Sequence, residues 1–269
     1  MAAMNPSANA SQNTPMIRIA GVSKSYGDKP VLGNVELEVE RGEFLVILGA
    51  SGCGKSTLLN LVSGFVQPNT GHIHVNDKEV TDVTPACGMV FQQYALFPWK
   101  TVQENVEFGL KMRHMPRAER AEIAKHFIEM VGLRGVADSY PHALSGGMKQ
   151  RVSIARVLAN DPDVMLLDEP FAALDAMTRQ VLQEQLVSIY EKSGKTILFI
   201  THSIDEALML STRMVVMGDK PGRIVQDIRN DLPHPRSADV QLSARYLELK
   251  KSIWETVQVE VTRSLEAKH

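Results

Sequence analysis

Residues Gly49-Ala50-Ser51-Gly52-Cys53-Gly54-Lys55-Ser56 fit the pattern G-x-x-x-x-G-K-[ST]. Glycines at these spacings let successive backbone N–H groups turn inward around phosphate oxygens. The apolar stretch Leu58-Leu59-Asn60-Leu61-Val62 follows as a helix whose N-terminus adds partial positive charge. Lys55 is then placed to reach the β- and γ-phosphates of a nucleotide, and the Ser56 hydroxyl suits Mg²⁺. Such a loop takes a nucleoside triphosphate. Kinases, GTPases and transport ATPases all use one, so the rest of the chain has to choose between them.

Val164-Met165-Leu166-Leu167-Asp168-Glu169 reads as a buried strand ending in two carboxylates. Ligands of open α/β sheets bind at the carboxyl ends of strands. Asp168 is expected to hold Mg²⁺, directly or through water, and Glu169 to orient and deprotonate an attacking water. In Leu144-Ser145-Gly146-Gly147-Met148-Lys149-Gln150, Ser145 can cap a helix whose first turn exposes backbone N–H groups. This is a second anion-binding helix start. One phosphate chain does not need two such cradles from one subunit, so a dimer sharing its sites is the economical geometry. His72 and His74 fall on one strand face, but no third ligand accompanies them, so a metal site is not expected. Cys53 lies near positive potential that could lower its pKa, which would leave it open to alkylation with nucleotide protecting it. A small residue whose backbone matters is the preferred alternative.

These residues need elements to hold them. Residues 1–15 lack periodicity and are expected to form a disordered tail. Ile17 and Ile19 alternate with polar neighbours, as do Val35, Leu37 and Val39 with Glu36, Glu38 and Glu40, the pattern of half-exposed strands. Phe44 to Leu48 is apolar on both faces, a central strand. Short strands are expected between Gly71 and Val90. From about Thr101 to Ala159 the period turns helical, with Ile123, Phe127 and Val131 as one stripe and Val152, Ala155 and Ala159 as another. Val164–Leu167 and Thr196–Ile200 are two more buried strands, with a helix near Thr178 to Glu191 between them. This alternation implies a parallel sheet with crossover helices. Pro233 and Pro235 mark a break, after which Leu242, Tyr246, Leu249 and Ile253 form the stripe of a C-terminal helix.

Composition removes other classes. Net charge is −2, which argues against nucleic acid as a partner. The two cysteines, Cys53 and Cys87, make neither a disulfide framework nor a zinc cluster, and a reducing compartment is the simpler expectation. No apolar run approaches the ~20 residues that span a bilayer, and no secretory signal is expected.

Leu144 to Gly147, standing between the phosphate loop and the Asp168-Glu169 strand with a histidine after the next strand, resembles the signature of the ATP-binding cassette family. The resemblance runs from about Met16 to Leu232. It implies an α/β fold with a P-loop NTPase parallel sheet core, an antiparallel β subdomain and an inserted helical subdomain at about residues 95–160. The cassette domain would cover residues 16–232 and a helical extension 233–269. The resemblance implies that ATP and Mg²⁺ are bound, with nucleotide contacts along Gly49, Ala50, Ser51, Gly52, Cys53, Gly54, Lys55, Ser56 and Thr57. Tyr26 would stack on adenine and Val31 flank it. Gln92 would touch Mg²⁺ and the attacking water, joining Ser56 and Asp168 around the metal. Asp175 would face the partner subunit, and His202 would hydrogen-bond the γ-phosphate beside Glu169. Ser145, Gly146 and Gly147 would cap the partner's ATP in a homodimer.

Phe97-Pro98-Trp99, Asn105 to Leu110 and Asp168-Glu169-Pro170-Phe171 are most similar to bacterial importer cassettes of the nitrate, taurine and aliphatic sulfonate group. That similarity implies two transmembrane permease subunits, a periplasmic or extracellular solute-binding protein acting indirectly, and a peripheral place on the cytoplasmic face of the membrane. A soluble cassette ATPase without a transport role is the alternative. Its repair members need a coiled-coil insertion and its translation members two cassettes. A P-loop kinase would have no use for Leu144 to Gly147.

Overall fold

A computed structural model describes residues 14–266 apart from 173, 220, 234, 235 and 237. The expected N-terminal tail lies outside the described residues as far as residue 13, as do Ala173, Pro235 and residues 267–269. The first half of the chain runs β1 (Ile17–Tyr26), β2 (Lys29–Val39), β3 (Phe44–Gly49), α1 (Lys55–Val62), β4 (Thr70–Val75), β5 (Lys78–Glu79) and β6 (Cys87–Val90). Three helices follow, α2 (Val102–Met112), α3 (Arg117–Met130) and α4 (Gly146–Ala159). The remainder is β7 (Val164–Asp168), α5 (Ala176–Ser193), β8 (Thr196–Thr201), α6 (Ile204–Leu210), β9 (Arg213–Gly218), β10 (Arg223–Arg229) and α7 (Ala244–Glu266).

Two sheets result. One is four-stranded and antiparallel, in the order β2-β1-β4-β5; the other is six-stranded, in the order β10-β9-β3-β8-β7-β6. In the second, β6, β7, β8, β3 and β9 are parallel and β10 closes the edge antiparallel. The expected α/β fold, a parallel core with an antiparallel sheet and a helical insertion, is what the chain forms.

Strand β3 explains why its sequence is apolar throughout. Phe44, Val46 and Leu48 belong to the core shared with the helices, while Leu45 and Ile47 belong to the core shared with α1 and the antiparallel sheet. A strand covered on both faces cannot alternate, and each such buried side chain contributes roughly 1.5–3 kcal/mol. Strand β2, covered on one face, buries Val35, Leu37 and Val39 and exposes Glu36 and Glu38.

Thr101 starts α2 with a reciprocal cap: its hydroxyl accepts from the Glu104 N–H, and the Glu104 carboxylate accepts from the Thr101 N–H. Two expected stripes shift. On α3 the buried residues are Ala124 and Ile128, with Val131 just beyond, whereas Ile123 and Phe127 are only half-buried. Successive steps of four run ahead of the 3.6-residue turn, and the line facing α2 and α4 lies one position over. At the C-terminus Tyr246, Leu249 and Ile253 are buried as expected, but Leu242 is 82% exposed. It lies in a 3₁₀ turn before α7 begins, off the helical repeat. Among the described residues no helix is long and apolar enough to cross a membrane.

Candidate active site

Three neighbouring strands of the parallel sheet, β3, β8 and β7, end on the same side. The loop after β3 turns on Gly52 (φ 87°) and Gly54 (φ 102°), conformations that L side chains resist. Gly54 also has no room: a Cβ there would stand 2.6 Å from Leu32 Cδ2. The Lys55 ammonium folds back into its own loop, donating to the Gly49 carbonyl at 2.8 Å and the Ala50 carbonyl at 3.0 Å. Ala50 is half-buried, Ser51, Gly52 and Ser56 are exposed, and Thr57 is half-buried in the first turn of α1.

The Ser56 hydroxyl donates to Asp168 Oδ1 at 3.0 Å, tying the start of α1 to the end of β7. Burial pushes the Asp168 carboxyl above the usual aspartate range, the Ser56 bond opposes this, and the neighbouring Glu169 charge adds to it. Glu169 takes a left-handed backbone (φ 43°) and its N–H donates to the Ile200 carbonyl of β8 at 3.1 Å. Its Oε2 lies 3.2 Å from Nδ1 of His202, which follows β8. The structure therefore brings Lys55, Ser56, Asp168, Glu169 and His202 together at adjoining strand ends.

Tyr26 is 51% exposed, with the Lys24 ammonium 5.4 Å from its ring centroid. Val31, half-buried, accepts from the Gly222 N–H at 2.8 Å. Cys53 departs from one expectation. Its side chain is in the core, 1% exposed, and burial pushes the thiol up despite the nearby Lys55 charge. The sulfur lies under the loop against Gly49, and the cost of burying a thiolate there outweighs the pull of the loop, so the alkylation expectation is corrected and the small-residue reading is preferred.

A second group stands apart. Ser145 is exposed and caps α4, accepting from the Met148 N–H at 3.3 Å. Gly147 is buried under α5: a Cβ there would stand 2.5 Å from Thr178 Cγ2. A Cβ on Gly146 would meet the Tyr94 hydroxyl at 3.0 Å. Asp175 caps α5, accepting from the Thr178 N–H at 3.0 Å, and that bond holds its carboxyl below the usual range. Gln92 is exposed. Among the described residues no hydrogen bond joins Ser145, Gly146, Gly147, Asp175 or Gln92 to the phosphate loop.

Sequence reasoning passed over Arg156. Its guanidinium donates to the carbonyls of Ala95 at 2.7 Å and Tyr94 at 3.2 Å, and lies 5.7 Å from the Phe97 ring. Tyr94 and Ala95 are consecutive left-handed residues just after Gln92, so α4 holds that loop in an uncommon conformation. The available signal was a lone cation inside the apolar run Ile154-Ala155-Arg156-Val157-Leu158. Glu206 was also passed over. Buried on α6, it accepts from the Thr201 hydroxyl at 2.5 Å and the Gln183 amide at 3.2 Å, directly behind His202. An apolar groove of about 430 Å³ opens between sheet and helical insertion, lined by Phe65, Val83, Phe91, Phe97 and Phe108. Among the described residues no cluster of three or more His, Cys, Asp or Glu could hold a metal by itself, and His72 pairs with Glu79 at 2.7 Å.

The family model described as ABC transporter matches residues 32–172. An uncharacterized ABC transporter ATP-binding protein of Methanocaldococcus jannaschii is 51% identical over 234 residues, 87% of this chain and 86% of its own length. The taurine import ATP-binding protein TauB of Roseobacter denitrificans is 46% identical, across 82% of this chain and 80% of its own. The aliphatic sulfonates import ATP-binding protein SsuB of Bacillus cereus is 44% identical, across 86% and 90%. Among solved structures, a dimeric ATP-binding cassette in a post-hydrolysis state with ADP and Pi aligns with a TM-score of 0.71 at 34% identity, covering 80% of this chain and 98% of that one.

Proposed function

The chain belongs to the ABC transporter family of ATPases, and from that premise we propose that it powers a bacterial importer of a small anionic solute. It binds and hydrolyses ATP, as the family and its cassette neighbours do. The observation that carries the proposal for this chain is the meeting of Ser56 with Asp168, and of Glu169 with His202, at adjoining strand ends.

The donor set fits Mg²⁺. A hydroxyl and a carboxylate are hard oxygen ligands, and Mg²⁺ prefers one or two such groups plus phosphates and water over an all-protein cage. That agrees with the absence of a larger ligand cluster among the described residues. Ser56 and Asp168 would hold the ion, with Gln92 approaching from its loop; when bound, it neutralises phosphate charge. Lys55 exchanges its bonds to the Gly49 and Ala50 carbonyls for charge-assisted bonds to phosphate oxygens. Glu169 orients the attacking water and accepts its proton, and His202 donates to the γ-phosphate.

The helix start at Ser145, Gly146 and Gly147 supplies N–H groups to a nucleotide held by a second copy, with Asp175 beside the crossing. ATP bridges the two copies, and its hydrolysis lets them part. The dimeric state of the similar solved cassette supports this arrangement. The phenylalanine-lined groove, next to Gln92, is where a transmembrane subunit would dock. The solute would be of the nitrate, taurine or aliphatic sulfonate type, and the names of the relatives support the last two of these. Transport into proteoliposomes holding the chain with its genomic-neighbour permease tests the proposal. ATP-dependent uptake of one of these anions is expected. An active ATPase that captures no hydrophobic membrane subunit would sink the transport role.

A further inference from the structure

The phosphate loop has a support that its sequence motif does not contain. Strand β9 runs beside β3, and the Met217 carbonyl lies 2.8 Å from where a Cβ on Gly49 would be. At the far side of the β9–β10 junction, the Gly222 backbone presses against the Cys53 carbonyl, closely enough that no side chain fits there. The same glycine donates to the Val31 carbonyl at 2.8 Å and accepts from the Gly33 N–H at 3.0 Å. One short stretch of backbone thus joins the segment around Val31 to the underside of the phosphate loop.

What holds that stretch is the C-terminal helix. Glu260 of α7 is 5% exposed. Its carboxylate accepts from Arg223 at 3.4 Å and from Arg263 at 2.8 Å, and packs against Gly218. Arg223 in turn donates to the Asp219 carbonyl at 3.3 Å. A buried carboxylate tolerates its desolvation only while its partners stay in place, so the pair fixes both ends of the junction against α7. Elsewhere α7 is held by Tyr246 and Lys250, which both donate to Asp205 of α6, each at 2.6 Å, by Arg245, which donates to Asp231 at 3.0 Å, and by Ser252, which accepts from Gln226 at 3.2 Å; none of these touches the β9–β10 junction at Gly218 to Arg223.

We infer that the β9–β10 junction is a positioning element of the ATP site and that Glu260 is the positioning residue through which the C-terminal helix sets nucleotide affinity. The inference rests on the reading of Gly49 to Ser56 as the ATP cradle. Glu260 touches no nucleotide. It acts by keeping Gly222 seated under Cys53 and Val31, so that triphosphate and base are met at the right separation. The effect therefore belongs to binding and not to the chemical step.

The test is ATP titration by calorimetry on the full chain, with turnover measured against ATP concentration. Glu260→Ala is expected to raise both Kd and KM for ATP by about threefold or more, with turnover at saturating ATP within about twofold of the parent. Lys250→Ala, which removes an α7 contact that does not reach the β9–β10 junction, is expected to leave the Kd within about 1.5-fold. Arg223→Met keeps the packing stem and removes the charge from the junction's side. It should reproduce the shift and carries the test if Glu260→Ala fails to fold. In the double variant the two shifts should not add, because both break one contact. Unchanged affinity in folded Glu260→Ala or Arg223→Met overturns the inference. So does an equal loss in Lys250→Ala, or a fall in saturating turnover at unchanged affinity. Lys55→Ala separates the two levels: if it too leaves affinity intact, the cradle reading has failed, and if it alone weakens ATP, only the role of Glu260 has.

Discussion

Replacing Glu169 by Gln isolates one proton from everything else at the site. The backbone is pinned by the N–H bond to the Ile200 carbonyl and holds φ at 43° whatever the side chain. The new amide can keep the 3.2 Å contact to His202 Nδ1 in either tautomer. Asp168, Ser56 and Lys55 are untouched, so ATP affinity should persist. What disappears is the acceptor for the proton of the attacking water. A positioned general base is worth typically ~10²–10⁴-fold, about 3–5 kcal/mol of barrier, and turnover should fall on that scale. Removing a carboxylate near the γ-phosphate also relieves like-charge repulsion, which favours the closed pair. Phosphate release measured with ATP and Mg²⁺ gives the first quantity, and size exclusion in the same buffer gives the second. The variant should elute as an ATP-bound dimer, and the parent chain without membrane subunits should elute mostly as a monomer. Near-normal turnover would show that Glu169 is not the base. Slow turnover without dimer accumulation would keep that role and refute the shared-site mechanism.

Lys55→Ala should lower ATP affinity about tenfold or more, since a charge-assisted contact to phosphate is lost; calorimetry within twofold of the parent would remove the cradle assignment. Ser145→Arg should bind ATP as a monomer yet not hydrolyse it, and mixing it with Lys55→Ala chains should restore part of the activity, because one composite site then has neither lesion. Proven heterodimers with no recovered turnover would exclude sites shared between copies. Arg156→Met should cost about 1.5–3 kcal/mol in urea unfolding, the penalty for stranding the Tyr94 and Ala95 carbonyls that a charged donor now serves; an unchanged midpoint would mean the clamp carries no load. Burial pushes the Cys87 thiol up to about 12 and the Cys53 thiol above its ordinary value. The reactive thiolate is then scarce in both until the pH rises past those raised values, so iodoacetamide at about pH 8 should label neither in the folded chain. Labelling of Cys53 that ATP blocks would contradict its burial.

The fold was legible where a single pattern decided it. Phe44–Gly49 is apolar because both faces are covered, and Val35, Leu37 and Val39 alternate because one is. Periodicity was less able to say which line of a helix faces inward. On α3 the choice between Ile123/Phe127 and Ala124/Ile128 depends on where α2 and α4 sit, and no single-helix pattern contains that. The same limit misplaced Leu242, whose apolar side chain fits a stripe that the helix starts too late to include.

At the site, motifs announced the side chains that meet at the strand ends, Ser56 with Asp168 and Glu169 with His202. They said little about what holds those residues, because much of the holding is done by backbone. Lys55 satisfies itself on the carbonyls of Gly49 and Ala50, which any sequence would supply. The Gln92 loop is shaped by two left-handed residues, Tyr94 and Ala95, neither of a type that advertises that conformation, and their clamp comes from Arg156 some sixty positions on. Gly222 supports Val31 and Cys53 through an N–H and a close backbone approach, so its only trace in the sequence is the lack of a side chain. Glycine is common enough that the trace cannot be read until the fold shows what a Cβ would strike. Glu260 left a slightly better sign, an acid on the inward line of an amphipathic helix. A carboxylate buried there at real cost needs a partner, and following that demand through Arg223 leads from the C-terminal helix to the phosphate loop.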